Sequence, residues 1–351
     1  MILSDMKTQG FRRRPRVLLA AASAAAAALF AGSAVSSSTA AARATASIPG
    51  VVDINTNLRY ESAAAAGTGI VLTSSGEVLT NNHVIRGATT IRVVVPQSGR
   101  RYAARVLGYD VADDVALLKL AGASHLQTVS LGHSATLRVG QSVTAVGNAG
   151  GSGTLRATNG KVTGLGRTIT ASDDQGGAER LSGLIETNAA LEPGDSGGPL
   201  LDSAHRVIGM DTAASAGFAF RAAANNAYAI PIGRALSIAR QIAAGHASAN
   251  VHIGATPFLG VQVANVASSF GSSRPWAIVV AGVVPGSPAD DANLAPGNII
   301  TSLDGHALTS PQTITTLLLH KAPASKVRLT WTDESGNQLR AMVTLASGPP
   351  Q

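Results

Sequence analysis

From Gly67 onward the chain is written in short β-rich runs cut by turn residues, and this rhythm limits the folds open to it. Gly67–Thr73, Glu77–Thr80, Thr90–Pro96, Arg101–Tyr109, Ala116–Leu120, Ser142–Val146 and Arg156–Leu165 each hold strand-forming residues over a strand's length. Gly, Asn, Asp and Ser separate the runs. Strands at this spacing, with few helices between them, predict a mainly β fold of the sandwich or barrel class. The period changes over Ile232–Ala244, where Leu236, Ala239, Ile242 and Ala243 share a helical face and Arg234 and Arg240 lie off it. Residues 245–255 are small and polar and read as a linker. Residues 45–62 read as a polar lead-in around the apolar patch Val51-Val52-Asp53-Ile54.

A chain of 351 residues can bury two cores, and 45% hydrophobic against 13% charged residues excludes a disordered chain. The net charge of +7 is unevenly spread. Lys7, Arg12, Arg13, Arg14, Arg16 and Arg43 face one acid, Asp5, within residues 1–44, which leaves +2 for the remainder. The basicity is therefore a targeting feature and implies no nucleic-acid partner. Phe11-Arg12-Arg13-Arg14-Pro15-Arg16, the Ala-rich stretch from Val17 to Val35 and the small-x-small Ala42-Arg43-Ala44 read as a signal peptide over residues 1–44. Retained, the apolar stretch would instead anchor the chain in a membrane; the weak hydrophobicity of alanine argues for cleavage. The absence of cysteine excludes a disulfide framework and cysteine-ligated metal. Gly147-Asn148-Ala149-Gly150-Gly151-Ser152-Gly153 lacks the Gly-Lys-Ser/Thr ending of a phosphate loop and reads as a loop between strands. No cofactor and no metal are expected.

The chemistry concentrates in Glu192-Pro193-Gly194-Asp195-Ser196-Gly197-Gly198-Pro199-Leu200. Glycines around a serine permit a tight turn with inward backbone N–H groups, which can stabilise an oxyanion as the serine attacks a carbonyl. A serine alcohol needs a base and a group that orients the base. His83, in Thr80-Asn81-Asn82-His83-Val84, and an aspartate among Asp110, Asp113 and Asp114 lie upstream. The order His, Asp, Ser is that of chymotrypsin-like enzymes.

These blocks resemble the HtrA-like serine proteases, chymotrypsin-fold enzymes that carry PDZ domains. Gly67-Thr68-Gly69-Ile70-Val71-Leu72, Asp114-Val115-Ala116-Leu117-Leu118, Val207-Ile208-Gly209-Met210-Asp211-Thr212 and Tyr228-Ala229-Ile230-Pro231 follow the family's order. Phe258-Leu259-Gly260-Val261, Val284-Pro285-Gly286-Ser287-Pro288-Ala289 and Pro296-Gly297-Asn298-Ile299-Ile300-Thr301-Ser302-Leu303-Asp304-Gly305 are similar to a PDZ domain, with Asn293 and Asn298 departing from its pattern. The likeness is nearest to secreted single-PDZ members from high-GC Gram-positive bacteria. It implies a double six-stranded β-barrel over residues 45–244 and a PDZ domain over 256–347.

The resemblance also assigns roles. Ser196 is the expected nucleophile, His83 the base and Asp114 the orienting carboxylate, because the family places that residue directly before the Val-Ala-Leu-Leu strand; Asp113 is next in line. The N–H groups of Gly194 and Ser196 are the expected oxyanion hole. Ala190, Thr212 and Ala213, with Ala214, are expected around the S1 pocket, where alanine in place of an acid implies small to medium apolar P1 residues. Thr212 alternatively borders the catalytic aspartate or is a plain strand hydroxyl. Phe258, Leu259, Gly260 and Val261 are expected to bind peptide C-termini, with a helix over Thr313–His320 and Leu317 and Leu318 either in the groove or in the core. Most relatives have Asn at the position of Asp195, so this carboxylate needs a partner: a new amino terminus near Val51, or an internal hydrogen bond or arginine. The implied activity is that of an exported serine endopeptidase acting on unfolded or envelope proteins. The alternatives are a non-enzymatic peptide-binding chaperone and a membrane-anchored signalling protease. The family often forms homotrimers, though residues 45–62 hold no clear aromatic contact for one.

Overall fold

The computed structural model describes residues 44–45, 48–173, 178–212, 218–220, 226–267 and 276–351. The expected signal peptide, apart from Ala44, lies outside them.

Six antiparallel strands form a first barrel: β1 (Val51–Leu58), β2 (Ala63–Val71), β3 (Glu77–Thr80), β4 (Thr90–Val95), β5 (Arg100–Asp110) and β6 (Val115–Leu120). They run β5-β4-β1-β2-β3-β6, and β6 pairs back on β5 to close the ring. Val52, Ile54, Val71, Val78, Val93 and Leu118 fill its interior. Between β3 and β4 lies one short helix, α1 (Asn82–Ile85).

A second ring follows: β7 (Ser142–Gly147), β8 (Arg156–Asp173), β9 (Ala178–Thr187), β10 (Pro199–Leu201), β11 (Val207–Thr212) and β12 (Ala227–Pro231). Its order is β8-β9-β12-β11-β10-β7, closed by β7 on β8. Val143, Ala145, Val162, Ile185, Leu200 and Ala229 pack within it. A larger cluster joins the two rings: Val51, Ile70, Leu79 and Leu117 meet Val146, Leu155, Met210 and Ile230. Closing both sheets leaves each barrel without a free edge.

The residues expected as a polar lead-in contain β1, which pairs with both β2 and β4. Val51 faces the inter-barrel cluster while Val52 and Ile54 face the barrel interior. Val51–Ile54, buried on both faces, lacks the alternation that would announce a strand.

Helix α2 (Ile232–Ala243) packs on the inter-barrel cluster through Ile232, Ala235, Ile238, Ala239 and Ile242. Its apolar face is rotated from the expected one: Ala243 is exposed and Leu236 only half-buried. The helix ends where Gly245 takes φ +73°. The Gly245 N–H then donates to Ile242 O at 2.9 Å and the His246 N–H to Gln241 O at 3.0 Å, a Schellman stop. Within the expected linker, Val251–Ile253 pairs with β5 as an added strand.

The C-terminal part is an antiparallel sheet whose path runs through β13 (Val261–Ala267), β14 (Trp276–Val283), β15 (Ile299–Leu303), β16 (Lys326–Thr332) and β17 (Gln338–Thr344) in chain order, with a sixth, two-residue strand at His306–Ala307 paired to β15. Helices α3 (Pro288–Asp291) and α4 (Pro311–Leu319) accompany it. Each starts at a serine whose hydroxyl accepts from a backbone N–H of the first turn, followed by proline at the first helical position. Leu259, Ile278, Ile300, Leu303, Ile314, Leu318 and Trp331 share the core.

Candidate active site

Strand β3 delivers Thr80 to the short α1 turn, which carries His83 at the seam of the two barrels. Asp114 closes the β5–β6 hairpin in the left-handed region, φ 52°, a conformation asparagine and aspartate tolerate better than most residues. Both of its carboxylate oxygens reach the histidine. Oδ1 accepts the His83 backbone N–H at 2.9 Å and Oδ2 lies 2.8 Å from Nδ1. The Asp114 and His83 side chains are 3% and 4% exposed, so this contact is shielded from water. Thr212, on β11, donates its hydroxyl to Asp114 Oδ2 at 3.2 Å, and the Asn81 amide donates to Asp114 O at 3.0 Å. Thr212 therefore serves the aspartate rather than a plain strand position.

The competing aspartates are engaged elsewhere. Asp113 is ion-paired to Arg234 of α2, with Nε donating to Oδ2 at 3.0 Å. Asp110 accepts the Asp113 N–H at 3.0 Å, and burial pushes its carboxyl above the usual range.

Ser196 sits in the turn between β9 and β10 and is 1% exposed. This turn is tied to the first barrel. The Thr68 N–H donates to Ser196 O at 2.8 Å, and the Thr68 hydroxyl donates to Gly194 O at 2.7 Å. Gly194 has φ +100°, and a Cβ there would stand 2.2 Å from Asn148 O, so only glycine fits. Pro193 O accepts the Gly150 N–H at 2.8 Å. Asp195 Oδ2 accepts the Glu192 N–H at 2.8 Å, and the Asp195 N–H donates to Glu192 O at 3.0 Å. Part of the demand of this buried carboxylate is thus met inside its own turn.

Of the expected S1 residues, Ala190 lies exposed after β9, Thr212 is on Asp114, and Ala213, like Ala214, lies outside the described residues. Phe258, Leu259, Gly260 and Val261 line a cavity of about 530 Å³ together with Ile314 and Leu318 of α4, and Tyr60, Arg86, Val111 and Pro350 wall it from the other side. Leu317 packs against the core instead. Gly260 has φ +83°, and a Cβ there would meet Ser287 Cβ at 2.1 Å. Tyr60 stacks on Phe258 with ring centroids 5.4 Å apart, a contact sequence reasoning did not foresee. Nor did it single out the roles of Thr68 and Asn148. The polar residue between Gly67 and Gly69, and the asparagine inside the glycine run, were the only signals. Among the described residues, no cluster of three His, Cys, Asp or Glu side chains could hold a metal.

Residues 67–210 match the trypsin-like peptidase domain family, and residues 257–341 match the PDZ domain family. The chain is thus a trypsin-like peptidase domain followed by a PDZ domain. Serine protease PepD of Mycobacterium tuberculosis is 32% identical over 320 residues, 86% of this chain and 65% of that protein. The periplasmic pH-dependent serine endoprotease DegQ of Escherichia coli is 34% identical over 287 residues, 80% of this chain and 59% of that protein. A solved HtrA-type protease, AlgW with tripeptide, aligns with 86% of this chain and 95% of that chain at 28% identity and a TM-score of 0.48. The chain spans 65% and 59% of the two curated serine proteases named, and its likeness to them is that of a trypsin-like peptidase domain joined to a PDZ domain.

Proposed function

We propose that this chain is a serine endopeptidase whose nucleophile is Ser196. The observation that carries the reading is the double engagement of His83 by Asp114, at the backbone N–H and at Nδ1. With Nδ1–H held by the carboxylate, Nε2 is the basic nitrogen, and the aspartate stabilises the imidazolium that forms. Ser196 Oγ attacks the peptide carbonyl carbon and its proton passes to His83 Nε2. The carbonyl oxygen, now anionic, is held by the N–H groups of Gly194 and Ser196. Collapse breaks the C–N bond, and His83 gives its proton to the leaving amine. Water then cleaves the resulting ester by the same route and frees Ser196.

Unfolded or envelope proteins are the proposed substrates. Ala190 brings no charge to neutralise a cationic P1 side chain, which supports small to medium apolar P1 residues. The C-terminal domain is proposed to take peptide C-termini in the groove at Phe258–Val261, with β13 extended by the ligand strand. Residues 1–44 are proposed as an export signal, in keeping with the periplasmic location in the name of DegQ.

Labelling with a fluorophosphonate tests the reading, beside Ser196→Ala and a casein digest. Modification at Ser196 alone, with digestion lost at least ~10³-fold in Ser196→Ala, is expected. A folded protein that digests casein equally well after Ser196→Ala would overturn it.

A further inference from the structure

Thr68 is not part of the triad, yet every polar group it has is spent on the machinery around Ser196. Its N–H donates to Ser196 O at 2.8 Å. Its carbonyl accepts the hydroxyl of Thr80 at 2.8 Å, on the strand that leads to His83. Its hydroxyl is used twice: Oγ1 accepts the Asn148 N–H at 2.9 Å and donates to Gly194 O at 2.7 Å. The side chain is fully buried.

A hydroxyl has one proton. With Asn148 N–H on a lone pair of Oγ1, that proton is committed to Gly194 O. The Asn148 loop supplies a second tie, because the Gly150 N–H holds Pro193 O at 2.8 Å. In a trans peptide the C=O and N–H point in opposite directions. Pinning Pro193 O onto Gly150 therefore turns the Gly194 N–H the other way, and pinning Gly194 O onto Thr68 fixes the next peptide, whose N–H belongs to Asp195. The Asn148 loop is itself wound tightly, with Asn148 O accepting from Gly151 N–H at 2.8 Å and Asn148 Oδ1 from Gly153 N–H at 2.7 Å. Thr68 bonds Gly194, Ser196 and Asn148 together.

We infer that Thr68 is a positioning residue of the oxyanion hole: its buried hydroxyl locks the Gly194–Asp195 peptide to the Asn148 loop, and that loop, through the Gly150 N–H on Pro193 O, sets the peptide that carries the Gly194 N–H before substrate arrives. This rests on the reading of Gly194 and Ser196 as the oxyanion hole. Such donors act through preorganisation, so loosening one weakens the transition state more than the bound substrate.

The test compares Thr68→Val, which keeps the shape and removes the hydroxyl, with Thr68→Ser, which keeps the hydroxyl. Wild type and Ser196→Ala run alongside. Each is read with an apolar-P1 peptide ester, with kcat per site titrated by fluorophosphonate, and with a peptide aldehyde whose adduct mimics the tetrahedral intermediate. Thr68→Val is expected to lose ~10–100-fold in kcat with KM within about twofold, and to bind the aldehyde more weakly by a similar factor. Thr68→Ser is expected to recover most of both. Should Thr68→Val lower the active-site titre by misfolding alone, with kcat per titrated site unchanged, the inference fails. It fails equally if kcat and aldehyde affinity move independently. The underlying reading fails separately, and visibly, if wild type is not labelled at Ser196.

Discussion

Asp53 sits on β1 with its side chain 1% exposed and neither oxygen hydrogen-bonded among the described residues. Burial pushes its carboxyl up to about 6. The folded state therefore holds this proton more tightly than the unfolded chain, whose aspartate titrates near 3.8. Below pH 4 both states are protonated and Asp53 costs nothing. Between pH 4 and 6 the unfolded state ionises first, so stability falls as pH rises, and above pH 6 the whole penalty is present. Asp53→Asn is expected to stabilise the protein by roughly 1–3 kcal/mol at pH 8 and by nothing at pH 3.5, measured by urea denaturation across that range. Equal stability of the two proteins at pH 8 would contradict the argument. At this same scale the proposed nucleophile and base were legible as candidates, because Ser196 and His83 lie in blocks with few other readings. The choice among Asp110, Asp113 and Asp114 was not legible from charge or spacing. Arg234, 121 residues downstream in sequence, takes Asp113, and the left-handed turn at Asp114 aims that residue's own carboxylate at His83.

Elements followed their local pattern where strand-forming residues ran together or alternated, and escaped it where polar residues broke the run. The runs at Glu77–Thr80 and Thr90–Pro96 match β3 and β4 to within a residue. Strand β1 did not declare itself, because Asp53, buried among its apolar residues, and the exposed Asn55 and Asn57 interrupt the apolar run. The helix expected at Thr313–His320 begins two residues earlier, where Ser310 accepts from the Thr313 N–H and Pro311 sets the first turn. Turn glycines are the weak points of such elements. At Gly260 an added Cβ would need the left-handed region and would press on Ser287. Gly260→Ala is expected to destabilise the C-terminal domain by about 1–3 kcal/mol. Hydrogen exchange should quicken over 257–345 and stay unchanged in β1–β12; uniform quickening throughout, or none, would refute this.

Across the whole molecule, the C-terminal domain is fastened to the first barrel rather than strung from it. Val251–Ile253 extends the sheet at β5, and His252 Nδ1 lies 3.3 Å from Leu319 O of α4. Tyr109, fully buried on β5, shares a hydrogen bond of 3.1 Å with Thr256 and accepts the Gln351 N–H at 3.3 Å. The Pro350 carbonyl accepts from Gly87 N–H at 2.8 Å, just past α1. Removing the phenol hydroxyl takes this partner from the buried Thr256 and the half-buried Gln351 N–H. Tyr109→Phe is expected to cost about 1–2 kcal/mol and to lower Tm by several degrees in calorimetry. An unchanged Tm would mean that these bonds add nothing to the joint.

The sequence by itself determined the class of fold, the order of the two domains and the residues capable of the chemistry. These depend on local matters: which segments prefer strands, where glycine is required, and which side chains can attack, accept a proton or orient a base. Tertiary structure alone decided which aspartate meets His83, that the polar lead-in is a central strand, and that a threonine on β2 grips the turn holding Ser196. Each depends on residues far apart in the chain being brought within hydrogen-bonding reach or burying each other's faces, and no local pattern encodes that distance.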